Sequence, residues 1–162
     1  MAEKYIAVLG YGANCSEANS HLAFQAGHEI AAHGYTVCAG NLGGTFEQAY
    51  KGAKSIAGAT IAVLERANTA PTPLCDEVVY AADTVEKHRL IADMAAGAIV
   101  IGGGPGTTKL IAKLLDMNRI VVALRNSGGV ADRNLDQRIA MQTDVATAID
   151  YISGHTARRR ID

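Results

Sequence analysis

The chain has 162 residues, 49% of them hydrophobic but only 5% aromatic, with no tryptophan and a formal net charge of −1. That length suits a single domain whose core is built mainly from Ala, Val, Ile and Leu. The near-neutral charge argues against a general nucleic-acid or membrane-surface binder, because both need a strong positive field.

The elements follow in chain order. Tyr5 to Leu9 is a first apolar strand, ending at Gly10-Tyr11-Gly12. Leu22, Ala26 and Ile30 then recur at helical spacing, with Ser16 as the expected N-cap and Gly34 as the C-terminal stop. Tyr35 to Ala39 is the second strand, followed by the loop Gly40-Asn41-Leu42-Gly43-Gly44. Thr45 and Gln48 predict a capping box for a second helix with Phe46, Ala49, Tyr50 and Ala53 on its apolar side. Ala59 to Leu64 is a third strand. Pro71 and Pro73 make residues 67–76 a loop, and Glu77 to Ala81 is a fourth strand. A helix is expected over Asp83 to Ala96 and a fifth strand over Ala98 to Ile101. After Gly102-Gly103-Gly104-Pro105-Gly106, Thr107 or Thr108 is the expected cap of a helix that turns Leu110, Ile111, Leu114 and Leu115 inward. Ile120 to Leu124 is a sixth strand, Arg125 to Arg133 a polar loop, and Arg138 to Gln142 a short edge strand. Thr143 or Asp144 caps a last helix that is expected to stop at Gly154.

Strand–helix alternation with continuous apolar strands predicts an α/β fold: a doubly wound, mostly parallel sheet of six or seven strands with helices on both faces. Residues 1–154 are expected to form this one domain, with 155–162 a short basic tail carrying Arg158, Arg159 and Arg160. No run is apolar for long enough to cross a bilayer, and the N-terminus lacks the pattern of a signal peptide, so a cytoplasmic location is expected. Cys15, Cys38 and Cys75 are too few and too far apart for a disulfide framework or zinc site. His21, His28 and His33 are not at i, i+4 metal spacing, and no metal site is expected.

Chemistry is carried by three glycine-bearing turns that follow strands and open helices: residues 10–14, 40–45 and 102–108. Glycine permits positive φ and removes the Cβ that would block a ligand. The first amides of a helix lack internal partners and favour anions. Thr45, Thr107 and Thr108 add hydroxyls. The first turn is not a complete dinucleotide fingerprint, since its third glycine position is Cys15, and Gly106-Thr107-Thr108-Lys109 lacks the Gly-Lys pair of a Walker A loop. The expected phosphate-bearing ligand would contact Gly12, Ala13, Asn14, Gly40, Gly43, Gly44, Thr45, Gly103, Gly104, Gly106, Thr107 and Thr108. Lys87 or His88, on the helix before the fifth strand, would supply positive charge.

Residues 40–53, Gly40-Asn41-Leu42-Gly43-Gly44-Thr45 through Ala53, resemble the first glycine motif of the LOG-like, or SLOG, Rossmann superfamily. Gly103-Gly104-Pro105-Gly106-Thr107 resembles its second, the PGGxGT signature. The resemblance runs from about Tyr5 to Ile152. It is nearer the molybdenum cofactor carrier proteins than the related cytokinin-activating phosphoribohydrolases, because Gly102 stands where the hydrolases have proline. The hydrolases also place a catalytic Glu three residues after the motif's Thr, which here is Leu110, and their catalytic Arg matches the region of Lys87 and His88. The resemblance therefore implies binding without catalysis: carriage or storage of the molybdenum cofactor (molybdopterin), or of a purine nucleotide. It also implies a homo-oligomer, a dimer or tetramer. A nucleoside 5′-monophosphate phosphoribohydrolase with an altered active site and a nucleotide sensor are the alternatives.

Overall fold

The computed structural model describes residues 4–12, 15–40, 43–66 and 71–161, with side chains through Thr156. Seven strands form one all-parallel sheet: Tyr5–Gly10 (β1), Thr36–Ala39 (β2), Thr60–Glu65 (β3), Glu77–Ala81 (β4), Ala95–Ile101 (β5), Ile120–Leu124 (β6) and Ala140–Gln142 (β7). Their order is β4-β3-β2-β1-β5-β6-β7. The chain builds outward from β1 in one direction, returns, and continues from β5 in the other. The Rossmann-like expectation is met, with every strand pair parallel.

Five helices cover the sheet among the described residues: Glu17–Ala32 (α1), Gly44–Lys54 (α2), Thr84–Met94 (α3), Pro105–Asp116 (α4) and Val145–Ile161 (α5). Alternate strand residues feed two cores, as the period of two requires. Ile6 and Val8 of β1 pack with α1, α2 and α5, whereas Ala7 and Leu9 pack with α3 and α4. α1 and α2 meet backbone to backbone. A Cβ on Gly27 would overlap the Ala49 carbonyl oxygen, and one on Gly52 the Phe24 carbonyl oxygen.

Helix starts follow local chemistry in some cases and not in others. Ser16 caps α1, accepting from the Asn19 amide at 3.1 Å, as expected. Asp83 caps α3 through the Glu86 amide at 2.8 Å, and Asp144 accepts from the Thr147 amide at 2.8 Å. The capping box at Thr45 does not form. Gly43 is the N-cap of α2 and gives no side-chain cap bond. Thr45 is fully buried and donates to Cys15 Sγ at 3.4 Å instead. Neither Thr107 nor Thr108 caps α4, since Gly104 holds that position with Pro105 as the first helical residue. Proline suits that place because the missing N–H has no helical partner to lose. The last helix does not stop at Gly154 but continues to Ile161.

Candidate functional site

Parallel sheets of this kind offer their ligand crevice outside the carboxyl ends of the strands, where the strand order reverses. The reversal here lies between β1 and β5. A cavity of about 550 Å³ opens there. Its floor is the carboxyl half of β1 with Tyr11 and Gly12, together with Cys38, Ala39 and Gly40. Phe46 of α2 contributes to the wall. The sides are Thr84, Lys87, His88 and Ile91 of α3, and Gly104 to Thr107 with Leu110 of α4.

The glycines at this place divide into two kinds. Gly102 and Gly103 have φ of +68° and +104°, a left-handed region that favours glycine. Their turn is clamped from behind by residues that follow β6. The Gly102 amide donates to Ser127 Oγ at 2.9 Å, and the Val130 and Ala131 amides donate to the carbonyls of Gly103 and Gly102 at 3.0 and 3.1 Å. Ser127 Oγ donates in turn to the Leu124 carbonyl, and Asn19 Nδ2 donates to the Ser127 carbonyl. The Asp132 carboxylate holds this loop by accepting from the Asn126 and Gly128 amides, both at 2.7 Å.

Gly12, Gly40, Gly104 and Gly106 are different. None has a positive φ. Among the described residues, a Cβ on any of them would meet nothing closer than 3.8 Å. Neither backbone conformation nor packing against the described residues therefore demands glycine at these four positions. All four border the cavity. The amides of Gly106 and Thr107 lie in the first turn of α4, where the helix offers N–H groups no internal acceptor and a partial positive charge. No acid occupies that first turn.

Positive side chains stand on the opposite side. Lys87 Nζ lies near Gly40 and 3.5 Å from Glu65 Oε1, at the carboxyl end of β3. Thr84 Oγ1 donates to the same oxygen at 2.8 Å. The Thr84 hydrogen bond and the nearby Lys87 hold the Glu65 carboxyl below its ordinary range. Burial, and then the charge of Lys87, hold the His88 imidazole below its ordinary value despite the opposing pull of Glu65. Lys109 acts in the same direction as Lys87.

The sequence-predicted residues fall into three groups. Gly12, Gly40, Lys87, His88, Gly104, Gly106 and Thr107 all line the cavity. Gly43, Gly44, Thr45, Gly103 and Thr108 are not part of that lining. Gly44 has φ +52°, and a Cβ on it would overlap the Gly12 carbonyl oxygen, so the first two glycine turns are packed backbone on backbone. The Thr45 amide is already bonded to the Tyr11 carbonyl at 3.1 Å. Thr108 Oγ1 reaches the Gly104 carbonyl at 3.5 Å. Ala13 and Asn14 lie outside the described residues. Sequence reasoning gave no ligand role to Phe46, Thr84 or Ile91, and none to Tyr11 beyond its place in the first glycine turn, yet all four line the cavity. The Tyr11 ring lies against the glycine run, near enough that a Cβ on Gly102 would come within 2.9 Å of it. An aromatic between two turn glycines at the end of a first strand was the available signal for it.

Residues 3–153 match the SLOG cluster4 family. The chain belongs to that family. Both glycine motifs on which the resemblance rested contribute to the cavity, Gly40 and Phe46 from the first and Gly104 to Thr107 from the second. An uncharacterized protein of Archaeoglobus fulgidus is 33% identical over 121 residues, which is 74% of this chain and 79% of that protein. The molybdenum cofactor (Moco) carrier protein of Chlamydomonas reinhardtii superimposes with a TM-score of 0.84 at 28% identity, over 96% of this chain and 99% of that one. A protein designated TM1055 gives 0.85 at 25% identity, over 93% and 99%. The fold is shared at lower identity (17%) with DNA processing protein A of Streptococcus pneumoniae, at a TM-score of 0.73 over 91% of this chain and 60% of that one. No helix among the described residues is long and apolar enough to cross a membrane.

Proposed function

We propose that this SLOG cluster4 protein binds a phosphate-bearing cofactor or nucleotide without transforming it, and that the molybdenum cofactor is the ligand. The observation that carries the reading is the set of four cavity-lining glycines, Gly12, Gly40, Gly104 and Gly106, that neither φ nor packing against the described residues requires. Their common property is the room they leave. The volume of about 550 Å³ lies within the ordinary range of ligand pockets. The α4 N-terminus offers amides to an anion, and Lys87 offers a cation across the cavity. Phe46, Ile91 and Leu110 supply apolar surface for a flat heterocycle.

These residues fit a pterin that carries a phosphate. The phosphate would take the Gly106 and Thr107 amides with Lys87, and the ring would lie along the apolar wall. Carriage asks the chain only to bind and shield the group, whose redox chemistry resides in its own metal and pterin. The similarity to the Chlamydomonas Moco carrier protein supports the same choice. Leu110 supports binding over hydrolysis. It lines the cavity where the resemblance places the hydrolase carboxylate, and an alkyl chain moves no proton.

A thermal-shift series with molybdopterin, molybdate, AMP and GMP tests the reading. A ligand at a hundred times its Kd stabilises the folded state by about 2.7 kcal/mol. Selective stabilisation by molybdopterin is the expected result. Stabilisation by AMP, with adenine appearing in the sample, would favour the hydrolase reading instead. Lys87→Met is expected to weaken the preferred ligand at least about tenfold, because a hydrogen bond to a charged group contributes roughly 1.5–3 kcal/mol and Glu65 is left without its cation. Isothermal titration of the two proteins measures the difference.

A further inference from the structure

Four titratable side chains from three separate elements interact electrostatically, Glu65 of β3, Lys87 and His88 of α3, and Lys109 of α4, and of this cluster Lys87 and His88 line the cavity. Lys87 is held against Glu65, so one of its two lysine charges is already countered. With His88 neutral, the cluster has the formal charge of a single cation. With His88 protonated, it has that of two. His88 is half-buried and lines the cavity itself.

We propose that His88 couples ligand charge to proton uptake, gaining a proton when a dianionic phosphate enters, so that the cavity selects phosphate monoesters over phosphodiesters. This rests on the phosphate-binding reading above. In the free protein, burial and the charges of Lys87 and Lys109 disfavour the imidazolium, against the weaker pull of Glu65. A dianion in the cavity reverses that balance, because it exceeds the single net positive charge of the cluster and acts on the ring in a partly desolvated place. A phosphodiester carries one charge, already matched by the cluster with His88 neutral, and recruits no proton. The sign is fixed by linkage. A group whose pKa rises on binding makes binding tighter as the pH falls through its bound value, and the gain is complete below its free value. The monoester should therefore gain affinity on acidification in a way the diester does not.

The test is a histidine-ring NMR titration of the whole protein between pH 5 and 8, with no anion, with methyl phosphate and with dimethyl phosphate. Saturating methyl phosphate is expected to raise the His88 pKa by about one unit, equivalent to tenfold tighter binding to the protonated form. Dimethyl phosphate should leave it near its free value. His88→Gln should lose the tightening of methyl phosphate on acidification that remains after the probe's own titration is accounted for. If methyl phosphate shifts the Gly106 and Thr107 amides but not the His88 pKa, the coupling is wrong while phosphate binding stands. Equal effects of the two esters would overturn the selectivity. If neither ester perturbs the α4 turn or His88, both the coupling and the phosphate-binding reading fall.

Discussion

Gly27→Ala is expected to destabilise the fold by about 3 kcal/mol, at the upper end of what overpacking a filled core costs. Alanine is the better helix former, so propensity alone predicts the opposite sign. What decides is the crossing of α1 and α2. The missing Cβ at Gly27 lets the Ala49 carbonyl approach, while Gly52 does the same for the Phe24 carbonyl. Both neighbours are backbone atoms in the interior of helices, so neither can swing aside as a long side chain would. The helices must separate, and the core around Ala26, Ala49 and Ala53 opens with them. Gly154→Ala provides the internal control. Gly154 also lies within a helix, but a Cβ there meets nothing within 4 Å among the described residues. Stabilisation of up to about 1 kcal/mol is expected from that change. Urea unfolding of the two variants should therefore shift the midpoint in opposite directions.

Gly104→Asp is expected to abolish ligand binding, by at least about a hundredfold, while leaving the fold as stable as before or slightly more so. The backbone at Gly104 is extended, with φ −123° and ψ −157°, and its Cβ would make only an ordinary 3.9 Å contact with Tyr11. The position is the N-cap of α4, where aspartate is a favoured residue worth a few tenths of a kcal/mol more than glycine. The new carboxylate would accept from the α4 amides that the phosphate needs, and would set a negative charge beside it. Losing even one or two charge-assisted hydrogen bonds, at roughly 1.5–3 kcal/mol each, accounts for the expected drop. The same substitution at Gly103 would not be informative, because its φ of +104° and the closeness of Thr107 make any side chain strained. Calorimetric titration and urea unfolding of Gly104→Asp separate the two effects.

Where the sequence was legible, one short-range signal dominated. β4 and β6 have the expected boundaries, Glu77–Ala81 and Ile120–Leu124: β6 is an apolar run closed by Arg119 and Arg125, and β4 is a β-branched and aromatic run that opens at Glu77. The inward face of α4, with Leu110, Ile111, Leu114 and Leu115, follows from helical spacing. Misreadings arose where tertiary contacts outweighed local chemistry. Thr45 looks like a cap, but the close approach of α2 to the Tyr11–Gly12 turn buries it and directs its hydroxyl to Cys15. Gly154 looks like a helix stop, yet glycine in the interior of a helix costs only about 1 kcal/mol and does not by itself end one. The cavity was half legible for the same reason. Its glycine turns are contiguous in sequence. Lys87 was read from the sequence as a source of charge, but Glu65, Thr84 and Tyr11 are brought near it only through the order β3-β2-β1-β5, which no local pattern encodes.

We propose above that the glycine-lined cavity at the β1/β5 switch point holds a phosphate-bearing ligand. Native mass spectrometry of freshly purified protein, mixed with molybdopterin and AMP and run beside Gly104→Asp, tests it most directly. One added small molecule per chain, with molybdopterin preferred, is expected for the wild type, and a bare mass for the variant. Equal loading of both proteins, or a bare mass for a folded wild type with every phosphate-bearing compound offered, would contradict it.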